Sequence, residues 1–172
     1  QLLGLLAAKM ALEDCGYGVD RHFDRDRTSV IIGVTGTQEL VIPLSSRLGY
    51  PKWRKALEDS GVPPAKTEEI IQKISDSYIP WQENSFPGLL GNVVAGRISN
   101  RLDLRGTNCV VDAACASSFS AIHLATLELI SGRSDMVVTG GVDTLNDIFM
   151  HMCFSKTHTL SASGDARPFS KD

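Results

Sequence analysis

Between Asn108 and Ser118 the chain reads NCVVDAACASS. A short β-branched run passes into small residues, and an apolar helical stretch begins with no polar loop between them. A strand that becomes a helix so abruptly must turn sharply, and small side chains are what a tight turn tolerates when another group has to approach its backbone. Two further runs frame this one. TSVIIG at 28–33 and DMVVTGG at 135–141 have the β-branched, turn-bounded look of buried strands. NCVVD at 108–112 predicts a third buried strand. Residues 115–130 predict a helix with Phe119, Ile122, Leu124, Leu127, Leu129 and Ile130 spread around its circumference, as in a helix enclosed by protein. Strand, helix and strand in this order predict a right-handed βαβ unit and an α/β sheet with parallel pairs.

Leu2, Leu5, Leu6, Met10 and Leu12 recur at helical spacing, and Gly16 and Gly18 end the pattern. Residues 35–50 favour no single element. Residues 52–60 and 66–78 predict two polar helices separated by Gly61, Pro63 and Pro64, so the region of about 50–80 is expected to be a helical insertion or cap. Phe86-Pro87-Gly88 predicts a turn. A helix is expected over 89–102, with Gly91 and Gly96 permitting close packing, and another over 146–154.

Composition limits the function classes. With 172 residues, 42% hydrophobic and 22% charged, the chain can bury a core of its own. A net charge of −3 does not suit a nucleic-acid binder, which needs a basic surface. No apolar run approaches the roughly 20 residues that cross a bilayer. The four cysteines, Cys15, Cys109, Cys115 and Cys153, form no Cys-x-x-Cys pair, so neither a disulfide framework nor structural zinc is expected and a reducing, cytoplasmic setting is. His151, Cys153 and His158 lack recognised ligand spacing, and no metal is assigned to them. GVTGT at 33–37 lacks the lysine of a phosphate-binding loop and predicts a plain turn. Lys52, Arg54 and Lys55 form either a basic patch for an acidic partner or a solvated helix face balanced by Glu58 and Asp59.

Cys115 is the residue with chemical promise. The positive end of a helix dipole favours the thiolate of a cysteine placed there, and unpaired N–H groups can hold an oxyanion. Layout alone leaves a second reading open, that Cys115 is a small buried side chain like many free cysteines. Cys15 and Cys109 are expected to be inert core residues.

The segment DAACASS at 112–118 resembles the active-site motif of β-ketoacyl synthases. GNVVAGRISNRLDLR at 91–105, GGVD at 140–143 and GDARPF at 164–169 resemble further blocks of that family, in matching order and spacing. With WQENSFPG at 81–88, they are most similar to synthase domains of polyunsaturated-fatty-acid and type I polyketide synthases. The resemblance implies a thiolase-like fold layered α-β-α-β-α, of which this is mainly the N-terminal half: a partial synthase domain over 1–172. It implies Cys115 as the acyl-carrying nucleophile, and Phe86, Ala114, Ala116 and Phe154 as residues around the acyl pocket. It implies no cofactor in the domain, with substrates held on the phosphopantetheine of an acyl carrier protein. The expected partners are that carrier, a second copy in a homodimer paired through the 108–111 strand, and the rest of a multidomain synthase.

Two alternatives share the fold: a thiolase or chain-initiating synthase using coenzyme A thioesters, and a non-catalytic partner scaffold. The family's two catalytic histidines belong to its C-terminal half. His22, His123, His151 and His158 do not match their motifs. His123 is expected to be packed within a helix and His22 to lie in a charged loop. The first helix has no N-cap and the 161–172 segment is an open loop, so an internal fragment is expected, unable by itself to yield an elongated acyl product.

Overall fold

Strand β1 (Thr28–Gly33) is buried at every residue, as a β-branched run between two covered faces should be. The computed structural model describes residues 1–18, 21–35, 41–144 and 147–171. Around β1 the chain forms α1 (Leu2–Asp14), α2 (Val41–Ser45), α3 (Tyr50–Asp59), α4 (Pro64–Asp76), α5 (Ser85–Leu89), α6 (Val93–Leu102), β2 (Asn108–Val111), α7 (Ser117–Ile130), β3 (Met136–Gly141) and α8 (Ile148–Lys156). The sheet order is β2-β1-β3, and both pairings are parallel. Gly33 lies opposite Val111 on one side and Gly141 on the other, so all three strands end at one level.

Side chains alternate along β1 with the period of a strand. Val30 and Ile32 pack with Ala8 and Leu12 of α1 and Val94, Ala95 and Ile98 of α6. Gly33 faces α7. The result is three layers: α1 with α6, the sheet, and α7. Each fully buried aliphatic here, such as Val30, Val94 or Ile98, contributes about 2 kcal/mol. Between β1 and the connection from α7 to β3, the buried hydroxyls of Ser29 and Ser134 bond each other at 2.6 Å, which removes the cost of burying either one alone.

Two helices seat themselves by their smallest side chains. Helix α1 buries Gly4, Ala8 and Leu12; a Cβ on Gly4 would meet Val94 at 3.4 Å. Leu2, Leu3, Leu6 and Met10 stay exposed, so the leucine spacing expected to mark the core face does so only at Leu5 and Leu12. Helix α7 buries Ser117, Ala121 and Ala125, and its large residues point outward: Phe119 is 65% exposed and Ile130 77%. The expectation of an enclosed helix is therefore corrected for this chain. Only one face meets the sheet, because small residues permit the closest approach there.

Other boundaries move for local reasons. The helix expected over 89–102 is interrupted: Leu90 is extended (φ −96°, ψ 121°), and Phe86-Pro87-Gly88 belongs to the short α5 instead of a turn. β2 stops at Val111 and, among the described residues, is an edge strand with Asn108 exposed and the rest half-buried, not a strand buried on both sides. Helices α3 and α4 pack on each other, tied by Arg54 to Glu68 across the pair. Residues 41–49, ambiguous in sequence, form α2 and a short 3₁₀ turn. Part of the 33–37 loop and residue 146 lie outside the described residues.

At Gly33 an added Cβ would lie 2.5–2.7 Å from backbone atoms of Ser117 and Ser118. Gly33→Ala is expected to destabilise the fold by about 3 kcal/mol, read as a lowered urea midpoint. Gly132→Ala, with nothing within 4 Å of its Cβ but a left-handed φ of 69°, should cost only about 1 kcal/mol. Equal losses would contradict the close approach.

Candidate active site

The short connection between β2 and α7 is built from four consecutive small residues and Asp112. Ala113 is at φ −138°, ψ 36°, residues Ala114–Ala116 form one 3₁₀ turn, and α7 begins at Ser117. Cys115 occupies the middle of that turn, one residue before the N-cap of α7, not the first position of the helix. Ala114 has φ 49°, in the left-handed region that a residue with a Cβ avoids at a cost of about 1–2 kcal/mol. This kink carries the chain from the strand direction into the helix.

Hydrogen bonds hold the kink. Ala114 N–H donates to Asp112 Oδ1 at 3.0 Å. Ala113 N–H donates to Ser117 Oγ at 2.9 Å, and that hydroxyl donates in turn to the Ala114 carbonyl at 2.6 Å. Ala116 N–H donates to the Ala113 carbonyl at 3.0 Å, and Ser117 N–H to that of Ala114. Four N–H groups of the elbow are thus engaged, which narrows the oxyanion donors expected from sequence. Below the elbow, Gly33 and Gly141 provide the seat: a Cβ on Gly141 would come within 2.9 Å of Ser118 Cβ. GG at 140–141 is the end of β3, as the 135–141 run predicts.

Cys115 is exposed, as are Ala114 and Ala116 on either side. The alternative of an ordinary buried cysteine is thereby set aside. Phe86, on α5, is 55% exposed and Phe154, on α8, 42% exposed. Both aromatics present apolar surface to their surroundings.

The other candidates separate from the elbow. His123 lies exposed on α7, contrary to the expected packed position, because that helix turns its small face to the sheet. His22 is exposed in a charged loop. His151, Cys153 and His158 are exposed, and among the described residues no three His, Cys, Asp or Glu side chains converge as a metal site requires. Cys15 caps the exposed end of α1 and is not a core residue. Arg54 pairs with Glu68 and Lys55 with Asp59, so the basic trio on α3 is a largely neutralised, solvated face. The role of Ser117 was missed in sequence; its place two residues after a cysteine, at a helix start, was the available signal.

The family model described as the N-terminal domain of β-ketoacyl synthases matches residues 1–172. The chain is 40% identical over 169 residues to a polyunsaturated fatty acid synthase polypeptide of Thraustochytrium sp., covering 98% of this chain and 6% of that one. It is 29% identical over 170 residues to 6-methylsalicylic acid synthase of Aspergillus terreus, covering 91% of this chain and 9% of that one. A ketosynthase from module 6 of the bacillaene synthase of Bacillus subtilis superposes with a TM-score of 0.63 at 22% identity, over 95% of this chain and 22% of that one. A β-ketoacyl synthase from Burkholderia phymatum gives 0.64 at 22% identity, over 97% and 36%. The fold is therefore the thiolase-like fold of the ketosynthases, represented by its N-terminal half with a parallel sheet. The chain spans less than a tenth of the curated relatives described.

Cys109, half-buried on β2, differs chemically from the exposed cysteines. Burial, and after it the nearby Glu128 carboxylate, push its thiol up from the ordinary 9.0. The raised value means that the neutral thiol is favoured in the fold. Its stabilising effect is complete below the unfolded value and is lost as pH rises through the folded one. At pH 8, iodoacetamide is expected to modify Cys109 several-fold more slowly than Cys15 or Cys153 by peptide mapping, and Glu128→Gln to narrow the gap. Equal rates would contradict the assignment.

Proposed function

The chain belongs to the β-ketoacyl synthase family through that family's N-terminal domain, and on this premise we propose that Cys115 is the nucleophile that carries an acyl chain as a thioester. The observation that carries the reading is the elbow: an exposed thiol flanked by two alanines, at the level where three parallel strands end and beside the N-terminus of α7. Ligand sites in sheets of this kind gather at that edge.

In the first half-reaction the Cys115 thiolate attacks the carbonyl carbon of a carrier-bound acyl thioester. The tetrahedral oxyanion needs N–H donors. With those of Ala113, Ala114, Ala116 and Ser117 engaged, the remaining N–H of the turn is that of Cys115 itself. Collapse expels the carrier thiolate, which takes up a proton, and leaves the acyl group on sulfur. In the second half-reaction a malonyl thioester loses carbon dioxide. The resulting carbanion attacks the acyl-enzyme carbonyl, and Cys115 leaves as thiolate. Splitting acyl capture from carbon–carbon bond formation makes two accessible steps of one difficult step.

Ala114 and Ala116 leave room for the thioester, and Phe86 and Phe154 supply apolar surface to the acyl chain. The α3–α4 pair serves as a cap. The working assembly on this reading is a homodimer paired through the open edge of β2, within a multidomain synthase, fed by an acyl carrier protein in a cytoplasmic setting; the domain itself uses no cofactor. Among the described residues no helix is long and apolar enough to cross a membrane.

The test is intact mass of the full-length polypeptide after exposure to the N-acetylcysteamine thioester of a short acyl group. One acyl adduct is expected, and Cys115→Ala should reduce it to the uncatalysed background. An undiminished adduct in that variant would contradict the assignment, and no adduct on the folded parent would favour the non-catalytic scaffold.

A further inference from the structure

The elbow holds its cysteine through a residue that carries no catalytic chemistry of its own. Ala114 is locked in the left-handed region, φ 49°, and both of its backbone polar groups are gripped by side chains. Asp112 Oδ1 accepts its N–H at 3.0 Å, and Ser117 Oγ donates to its carbonyl at 2.6 Å. The same Ser117 oxygen accepts the N–H of Ala113 at 2.9 Å, so one hydroxyl bonds backbone groups of two consecutive residues. Ser117 is only 6% exposed and sits against Gly33 at the end of β1. Its position is thus set by the sheet and not by solvent. A strained residue persists where its surroundings over-determine it, and these side chains supply that surplus.

We propose that Ser117 is the positioning residue of this site, working with Asp112: it holds Ala114 in its left-handed kink and so fixes the direction in which Cys115 Sγ faces an incoming thioester. The inference rests on the reading of Cys115 as the nucleophile. Without the hydroxyl, Ala114 can relax toward right-handed backbone, and the next residue is the cysteine, so its side chain swings with the peptide. Misplacement of a reacting atom by about 1 Å costs on the order of a hundredfold in rate. Ala113 and Ala114 are exposed, so the N–H and carbonyl that lose the hydroxyl can turn to water while the helix behind them remains seated.

The discriminating pair is Ser117→Thr and Ser117→Val, which share a shape and differ in the hydroxyl. In the full-length polypeptide two rates are measured at Cys115 for each variant: acylation by a short N-acetylcysteamine thioester and alkylation by iodoacetamide. Thermal unfolding is followed alongside. Ser117→Thr should acylate within about threefold of the parent and Ser117→Val at least about tenfold more slowly, with the two unfolding alike. Adding Ala114→Gly to Ser117→Val should recover part of the acylation rate, since glycine adopts the left-handed conformation without strain. Equal acylation of Ser117→Thr and Ser117→Val would overturn the positioning role, as would a loss that glycine at position 114 does not relieve. If the parent itself takes no acyl group, the nucleophile reading fails by itself; Ser117 is then judged by iodoacetamide, where equal alkylation of the two variants would overturn it.

Discussion

Everything at the elbow depends on how closely one helix approaches one strand. The first turn of α7 lies so near Gly33 that no side-chain atom fits between them, and Ser118 comes almost as near to Gly141. With the strand ends level, that contact fixes where β2 must hand the chain over. It leaves only a short connection between strand and helix, in which Ala114 is left-handed and Cys115 is exposed. Ala113, Ala114 and Ala116 are all exposed around the thiol, where their small side chains present little bulk.

The sequence made the strands legible because β-branched runs bounded by glycine have few alternatives: β1 and β3 fall within a residue of their expected limits. The motif around Cys115 was legible through family resemblance, and its exposure is consistent with that reading. Burial was read less well. The leucines of α1 recur at helical spacing and α7 was expected to be enclosed on every side, yet each helix buries one face made mostly of small residues. Periodicity reports which residues share a face but not which of two apolar faces meets the sheet. That choice is made by how near the backbones must come. The break at Leu90 and the clamp by Ser117 arise from particular dihedrals and hydrogen bonds, to which a pattern of apolar spacing is blind.

Chemistry and assembly pull the outer surface in another direction. Phe119, Ile122 and Ile130 on α7, and Ile148, Phe149 and Met152 on α8, are exposed in this chain, and β2 is paired on one side only among the described residues. An open strand edge is a template for pairing with another chain. The salt bridges include those on the solvated α3–α4 pair and around Arg27 and Arg105, where the carboxylates of Glu68 and Asp135 are held below their ordinary range by hydrogen bonds from arginine.

The central claim is that Cys115, and no other cysteine of this chain, forms the covalent acyl intermediate. It is tested most directly by proteolysing the full-length polypeptide at mildly acidic pH after a single turnover with an isotopically labelled acyl thioester, and locating the label by peptide mass. The account predicts label on the peptide that contains Cys115, released by hydroxylamine as a thioester is. Label on Cys15, Cys109 or Cys153 instead, or label that hydroxylamine does not release, would contradict it.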